Sequence, residues 1–416
     1  TLDLIDGSTS GIGDTDPPII LGLAFTADGQ LVGVGFDDAA PTEQYVYDID
    51  ITDASTSNPR RVDNGENYQA IAAPLPLTAG IYGSVFEDST GDALAGGSQL
   101  IGDAANPMAP GVTVRLYRDD GSAPGEPDGT DSFVTSTVTD AFGLYEFTGI
   151  ANDDYWVTVD SVTVAPSSGL NAPFTQAAVW AEQTYGPENS VRFDGVSTYT
   201  FTPSRGPFYG GKQPTGGDAA GTLVGAEHVA TASLLGTAVV NVDFGFSFNV
   251  VTTTDAATAA VLNGRSAQGS LDQFIRNANA VTGGNVMRLV PAVPQNDGTG
   301  SWWRIDYAGA PNPLADIFDA GTTIDGTAFN ATDGTTVVDS NSGFLGANAG
   351  GGVTVGTAST ALSQVAKPEL EIKDEGLRLS QAQSPLLPNN TEIRDLSIWG
   401  SATSIHALTG ASSLSG

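Results

Sequence analysis

Hydrophobic and polar positions along the chain alternate mostly with period two, in short runs cut by Gly, Pro, Asn and Asp. Residues 1–78 read as a β-sheet segment. Ile20–Phe25 is followed by the turn Ala27-Asp28-Gly29, then Leu31–Val34, then the alternating run Tyr45–Ile51. The clearest domain spans 79–165, with strands predicted at Ile81–Asp88, Val112–Tyr117, Val134–Val138, Tyr145–Phe147 and Tyr155–Val159, and a turn at Asp140–Gly143. Short strands at this spacing predict a β-sandwich. Residues 166–250 lack a clear period and read as an irregular β-rich connector. They contain two strand-like phrases, Val179–Gly186 and Val240–Phe248, the second with its aromatic side chains on one face.

The 3.6 period surfaces in one place. Leu271, Phe274, Ile275 and Ala278 form a stripe, and Ser270 with Gln273 has the spacing of a capping box, so Ser270–Ala278 is predicted to be a helix. Short β-phrases follow it, at Asn285–Val290, Thr322–Asp325, Glu369–Ile372, Leu377–Leu379, Glu392–Ile398 and Ser404–Leu408. From Glu369 onward they recur at a spacing compatible with rungs of roughly 20–25 residues, so 251–416 is predicted to be β-helix-like with an N-terminal capping helix. The fold class expected is therefore all-β and multidomain.

Composition narrows the function. Among 416 residues, 15 Lys+Arg stand against 48 Asp+Glu, a formal charge of −33. That field repels nucleic-acid phosphates and anionic lipid heads, and it favours divalent cations. The absence of cysteine excludes disulfides, thiolate metal sites and cysteine nucleophiles. No apolar run reaches the ~18 residues of a membrane span, and no secretory leader is visible. A start at Thr1 implies numbering inside a longer or processed polypeptide.

Calcium is the expected cofactor. Glu87, Asp88 and Asp92 fall in one loop; Asp119, Asp120, Glu126, Asp128 and Asp131 fall in another, with Asp140 expected nearby. Calcium takes 6–8 oxygens, and carboxylates interleaved with Gly supply both ligands and tight turns, although no strict EF-hand spacing occurs. The alternative is a solvated acidic loop. Gly206–Lys212 has the spacing of a phosphate loop, but Gln213-Pro214 follows where Ser or Thr and a helix are needed. His228 and His406, the two histidines, lie far apart with no serine-nucleophile motif, and read as packing or surface residues. Trp302-Trp303 offers a sugar-stacking platform or, alternatively, one core and one rim side chain. Asn330-Ala331-Thr332 and Asn389-Asn390-Thr391 are formal glycosylation sequons.

Two resemblances sharpen these expectations. The phrases "IYGSVFED", "PGVTVRLYRDDG", "DGTDSFVTSTVTDAFGLYEFTGI" and "DYWVTVD" resemble the SdrD B-like and Cna B-type repeats of bacterial surface proteins. That resemblance implies an immunoglobulin-like sandwich serving as a stalk, often stiffened by calcium. The family's internal isopeptide bond needs a first-strand lysine, and none occurs before Lys212. "QGSLDQFIRNANA", "TTIDGT" and "TEIRDLSIWG" resemble the start of right-handed parallel β-helices on bacterial surface proteins, where the helix caps the first rung. The pattern of residues 1–78 resembles one propeller blade. Together these imply a non-enzymatic structural subunit or stalk of an extracellular or cell-surface assembly (a filament, sheath or layer). Head-to-tail self-association through β-edges is expected, with no nucleic-acid partner. A glycan-binding adhesin module is the alternative. A β-helix polysaccharide lyase or hydrolase, using Arg378 or Arg394 beside Asp374, Glu375 and Asp395, is a further one.

Overall fold

A computed structural model describes residues 19–25, 31–37, 40–49, 56–61, 78–93, 107–193, 199–210, 223, 228–258, 264–345, 354–355, 360–361, 365–380, 388, 390–401 and 405–407. The chain divides into two compact units, Thr1–Thr78 and Ala79–Gly416. The molecule is all-β apart from a single longer helix among the described residues.

The first unit is an antiparallel meander of β1 (Ile19–Phe25), β2 (Leu31–Asp37), β3 (Ala40–Ile49) and β4 (Thr56–Arg61), each paired with the next in sequence. The Ala27–Gly29 turn lies outside the described residues. β1 and β4 form the two edges.

The second unit begins with a sandwich. Its strands are β5 (Gly80–Glu87), β6 (Thr113–Arg118), β7 (Ser132–Val138), β8 (Leu144–Thr148), β9 (Asp153–Val159), β10 (Glu182–Gly186), β11 (Ser190–Phe193), β12 (Tyr199–Phe201), β13 (Gly206–Pro207), β14 (Val229–Leu234) and β15 (Phe244–Ser247). One sheet has the order β13-β10-β15-β5-β8 and the other β12-β11-β14-β9-β6-β7. Strands from 166–250, the segment read from sequence as an irregular β-rich connector, supply three of the five strands in one sheet and three of the six in the other. β14 lies between β11 and β9, and β15 pairs in parallel with β5. Those strands are short, at two to six residues. They carry little period of their own and take their order from longer neighbours.

One core joins the two sheets. Ile81, Val85, Tyr145, Phe147, Phe244 and Phe246 on one side meet Val114, Leu116, Tyr155, Val157, Val159, Ala230 and Leu234 on the other. β9 is buried on both faces: Trp156 points away from this core into a second cluster with Tyr117, Val191, Leu223 and Val229. Gly83 marks the closest backbone approach. A Cβ there would overlap the carbonyl oxygen of Val242, to which the Tyr145 hydroxyl donates at 2.5 Å.

After the sandwich the pairing turns parallel. β16 (Val250–Val251) leads to helix α1 (Leu271–Ala280) and then to β17 (Arg288–Leu289), β18 (Trp303–Asp306) and β19 (Thr323–Asp325). Two antiparallel ribbons follow, β20 (Phe344–Leu345) with β23 (Val365–Ala366), and β21 (Thr354–Val355) with β22 (Thr360–Ala361). β24 (Leu370–Lys373), β25 (Leu377–Leu379), β26 (Glu392–Arg394), β27 (Leu396–Trp399) and β28 (Ile405–Ala407) complete the strands among the described residues. β16 pairs with β17, β18 with β24, β24 with β27, β19 with β26 and β25 with β28, all in parallel. Leu370 stands on Leu396 and Leu377 on Ile405, offsets slightly longer than the repeat expected from sequence.

Ser270 caps α1, its hydroxyl accepting the Gln273 N–H at 3.1 Å. The second half of the capping box is redirected, for Gln273 Oε1 accepts from Ser266 N at 2.8 Å instead of from the cap residue. Nine of the ten helix residues are buried, Arg276 being the exception. Leu271, Phe274, Ile275 and Ala278 pack against Val251, Leu289, Ile305 and Ile324 of the parallel region. The opposite, amide-bearing face is bonded to the sandwich. The helix is thus wedged between two β-structures.

Candidate functional sites in the acidic loop and the parallel ladder

The Asp119–Asp131 loop closes a hairpin between β6 and β7 and is organised by its own carboxylates. Asp131 accepts from Gly121 N at 3.0 Å and Asp128 N at 2.8 Å; Asp128 accepts from Ala123 N at 2.7 Å and Thr130 N at 2.6 Å. Asp119 Oδ2 accepts from Gly125 N, and Asp120 Oδ1 accepts from Ser132 N. Partial burial and the neighbouring Asp131, Asp154 and Asp128 push the Asp119 carboxyl up, against the bond from Gly125 N. Its Oδ1 is buried without a partner. Among the described residues, no three His, Asp or Glu side chains stand ready-made around a metal.

The other acidic residues lie apart from that loop. Val138 pairs with Thr113 and Ser132 with Arg118, so Asp140 is at the opposite end of the β6–β7 hairpin, which corrects its expected proximity. There it closes a turn, accepting from Phe142 N and Leu144 N. Glu87 and Asp88 are buried at the end of β5. Glu87 accepts from Ser167 N at 2.6 Å, and Asp88 accepts from Gly91 N and Ala93 N, each at 2.8 Å. Burial pushes both carboxyls up. Asp92 lies in the same turn. Both groups act as N–H acceptors that fix turns.

The remaining candidates are placed as follows. His228 is fully buried, edge-on to Phe246, and bridges two glutamines. Its Nδ1 donates to Gln183 Oε1 at 3.0 Å, and its Nε2 accepts from Gln268 Nε2 at 3.1 Å. Burial lowers its pKa to about 4. His406 sits on β28 in register with Arg378. Trp303 is taken into the core and Trp302 onto the rim, where its Nε1 donates to Glu371. The two indoles therefore share no exposed platform. Lys212 and Asn389 lie outside the described residues. Arg378 is bonded to Asp316 at 2.7 Å and Glu375 at 3.3 Å; Arg394 is bonded to Asp325 at 2.8 Å and Glu392 at 3.0 Å. Both guanidiniums are spent on structure.

Sequence reasoning missed two sets of residues. The first is a cross-rung charge ladder: Arg304 on Glu371, Asp306 on Lys373 at 2.6 Å, and Asp325 on Arg394, each pair in direct register. The inward positions between them stack Ile305, Ile372 and Ile398. The second is an amide clamp between α1 and the sandwich. Asn277 Oδ1 accepts from Trp180 N, and its Nδ2 donates to Trp180 O and Phe248 O. Arg265 Nε donates to Val179 O and Gln268 Nε2 to Ala181 O. The polar side of α1 carries Gln and Asn where a solvated helix carries Lys and Glu, which was the available signal.

The last described rung has one unpaired side among the described residues. β26, β27 and β28 are each paired on one side only among the described residues. Trp399 is 46% exposed and Ile405 40% exposed, while Leu396 and Ile398 are half-buried. No helix among the described residues is long and apolar enough to cross a membrane.

No family model matches the chain. It is similar to the crystal structure of GBS52, the minor pilin of Streptococcus agalactiae, with a TM-score of 0.18 and 11% identity, over 51% of this chain and 63% of that one. It is also similar to BcpA, the major pilin subunit of Bacillus cereus, with a TM-score of 0.17 and 11% identity, over 53% of this chain and 39% of that one. The chain thus spans less than two thirds of either pilin, and overlaps this slight place no constraint on what it does.

Proposed function

We propose that this chain is a structural segment of an extracellular, cell-surface assembly, joined head to tail through β-edges. One observation carries the proposal: the last described rung, β26, β27 and β28, has no partner on its outer side among the described residues, with half-exposed apolar side chains along it. An unpaired strand edge presents a row of N–H and C=O groups that favours adding another strand. β1 of a second copy fits that role. It ends its own sheet, and Ile19–Phe25 holds neither charge nor proline, whereas the other edge, β4, carries Pro59, Arg60 and Arg61. A contact between different surfaces whose rotation does not close into a ring builds a filament.

Electron microscopy and sedimentation of the purified chain at rising concentration test this. Filaments are expected, and I405D, which puts a carboxylate on the exposed edge, should abolish them without changing the thermal melt. Monodisperse monomers of the unaltered chain at every concentration would overturn the proposal.

Calcium stiffening belongs to the same proposal and is confined to the Asp119–Asp131 loop. The unpartnered Asp119 Oδ1 and the mutual repulsion of three carboxylates support it. An ion there competes with N–H groups already bound to Asp128 and Asp131, so affinity is expected at the weak end for extracellular modules, ~10⁻³ M. Calorimetric titration checks it: D119N should remove the calcium heat, and D140N should leave it unchanged.

A further inference from the structure

Four strands end the two sandwich sheets: β13, β8, β12 and β7. Three are blunted. β13 is only Gly206-Pro207, with a proline that has no N–H to offer. β12 has three residues. β8 carries the exposed Glu146 at its centre. β7 is different: Ser132–Val138 is seven residues long and holds no charge, proline or glycine, with Phe133 53% and Val138 56% exposed. Its register on β6 shifts near Val134, leaving Thr135–Val138 as a regular ladder that continues to Thr139, whose N–H donates to Val112 O. A bulge twists an edge, but it protects only the start of this one.

We infer that β7 pairs with β7 of a second copy, antiparallel and about a two-fold axis through Thr137, joining two six-stranded sheets into one. The uncharged strand admits a second copy, and charge selects this register. Two chains of formal charge −33 repel, so they can meet only where charges are absent or kept apart. Between Asp131 and Asp140 there is no charged side chain. Pairing about Thr137 sets Thr135 opposite Thr139 and Ser136 opposite Val138, and puts Asp140 opposite the uncharged Val134. Pairing about the midpoint of Thr135 and Ser136 would set Asp131 opposite Asp140 twice. Like charges directly opposite destabilise a ladder, so that register is disfavoured. Threonine opposite threonine is a favourable cross-strand pair, and the outward Val138 side chains gain cover.

The chain has no cysteine, so one introduced thiol reports the contact. T137C places two thiols across the axis at directly opposed positions, within disulfide range. Under mild oxidation it should cross-link to dimer, whereas F201C on the β12 edge should stay largely monomeric. Adding S136D and V138D to T137C opposes like charges twice and should slow cross-linking by about tenfold. Adding S136K and V138D instead opposes unlike charges in the same register and should restore it. Circular dichroism confirms that each variant is folded. T137C cross-linking no faster than F201C, or a Lys/Asp variant as slow as the Asp/Asp one, would overturn the inference.

Discussion

At the residue scale, buried polar groups and close backbone approaches decide what can change. Gly83 is the tightest position: the space its Cβ would need is occupied by Val242 O and the Tyr145 ring. G83A is expected to destabilise the sandwich by ~1–3 kcal/mol, measured by denaturant unfolding of the second unit. His228 makes a pH prediction with a definite sign. Its folded pKa is about 4 against an ordinary 6.5, because burial disfavours the charged ring and outweighs the Gln268 side-chain bond, which acts the other way. The unfolded chain therefore binds the extra proton first as pH falls. Stability contributed by the neutral ring is intact above about 6.5 and is lost by up to ~1.4 kcal/mol per pH unit toward 4. Asp319 works in the opposite direction, since desolvation raises its carboxyl to about 6. Its contribution is present below the unfolded carboxylate range and is lost as pH rises toward 6. Melting D319N between pH 4 and 6.5 should therefore show a steeper acid loss than the unaltered chain, while H228Q should flatten it.

At the element scale, much of the fold was legible. Strands with clean alternation, such as Thr113–Arg118, appear where the period placed them, and the helix appears with its serine cap. What failed to show was partnership. β10 and β15 showed as strand-like phrases, but nothing in such short strands revealed that β10 to β15 complete both sheets. The helix was read from its apolar stripe and its cap, and the side-chain amides of Gln273, Asn277 and Asn279 are bonded to backbone carbonyls outside the helix. Polarity alone does not distinguish a side chain facing water from one facing a carbonyl. The acidic loops were visible as composition, whereas the hydrogen bonds that occupy them were not. N277L tests the clamp. It strands Trp180 N and the carbonyls of Trp180 and Phe248, and should cost about 3 kcal/mol or more. Hydrogen exchange should rise first at Trp180 and along α1, before the sandwich core. The charge ladder should behave as a register device of modest strength: D306K opposite Lys373 lowers the melting temperature slightly, and K373D in the same chain recovers most of the loss. Thermal melts of the two variants check the pair.

At the scale of the whole molecule, two open edges of different symmetry have a joint consequence. The coil edge at β26 to β28 and the sheet edge at β7 are separate surfaces within the second unit. A head-to-tail contact that does not close into a ring propagates in one direction, while a two-fold contact closes on itself as a dimer. A chain that makes both ties filaments together side by side, so the expected assembly is a ribbon or layer rather than an isolated fibre. Each contact can then be removed alone. S136D with V138D should leave single filaments, I405D should leave dimers that extend no further, and the three substitutions together should leave monomers. Negative-stain microscopy beside sedimentation separates these outcomes. High salt sharpens the test, because screening weakens the repulsion between chains of formal charge −33 and should promote both contacts. If I405D and the β7 substitutions each abolish the same single species, the two edges form one contact, and the layer geometry is wrong.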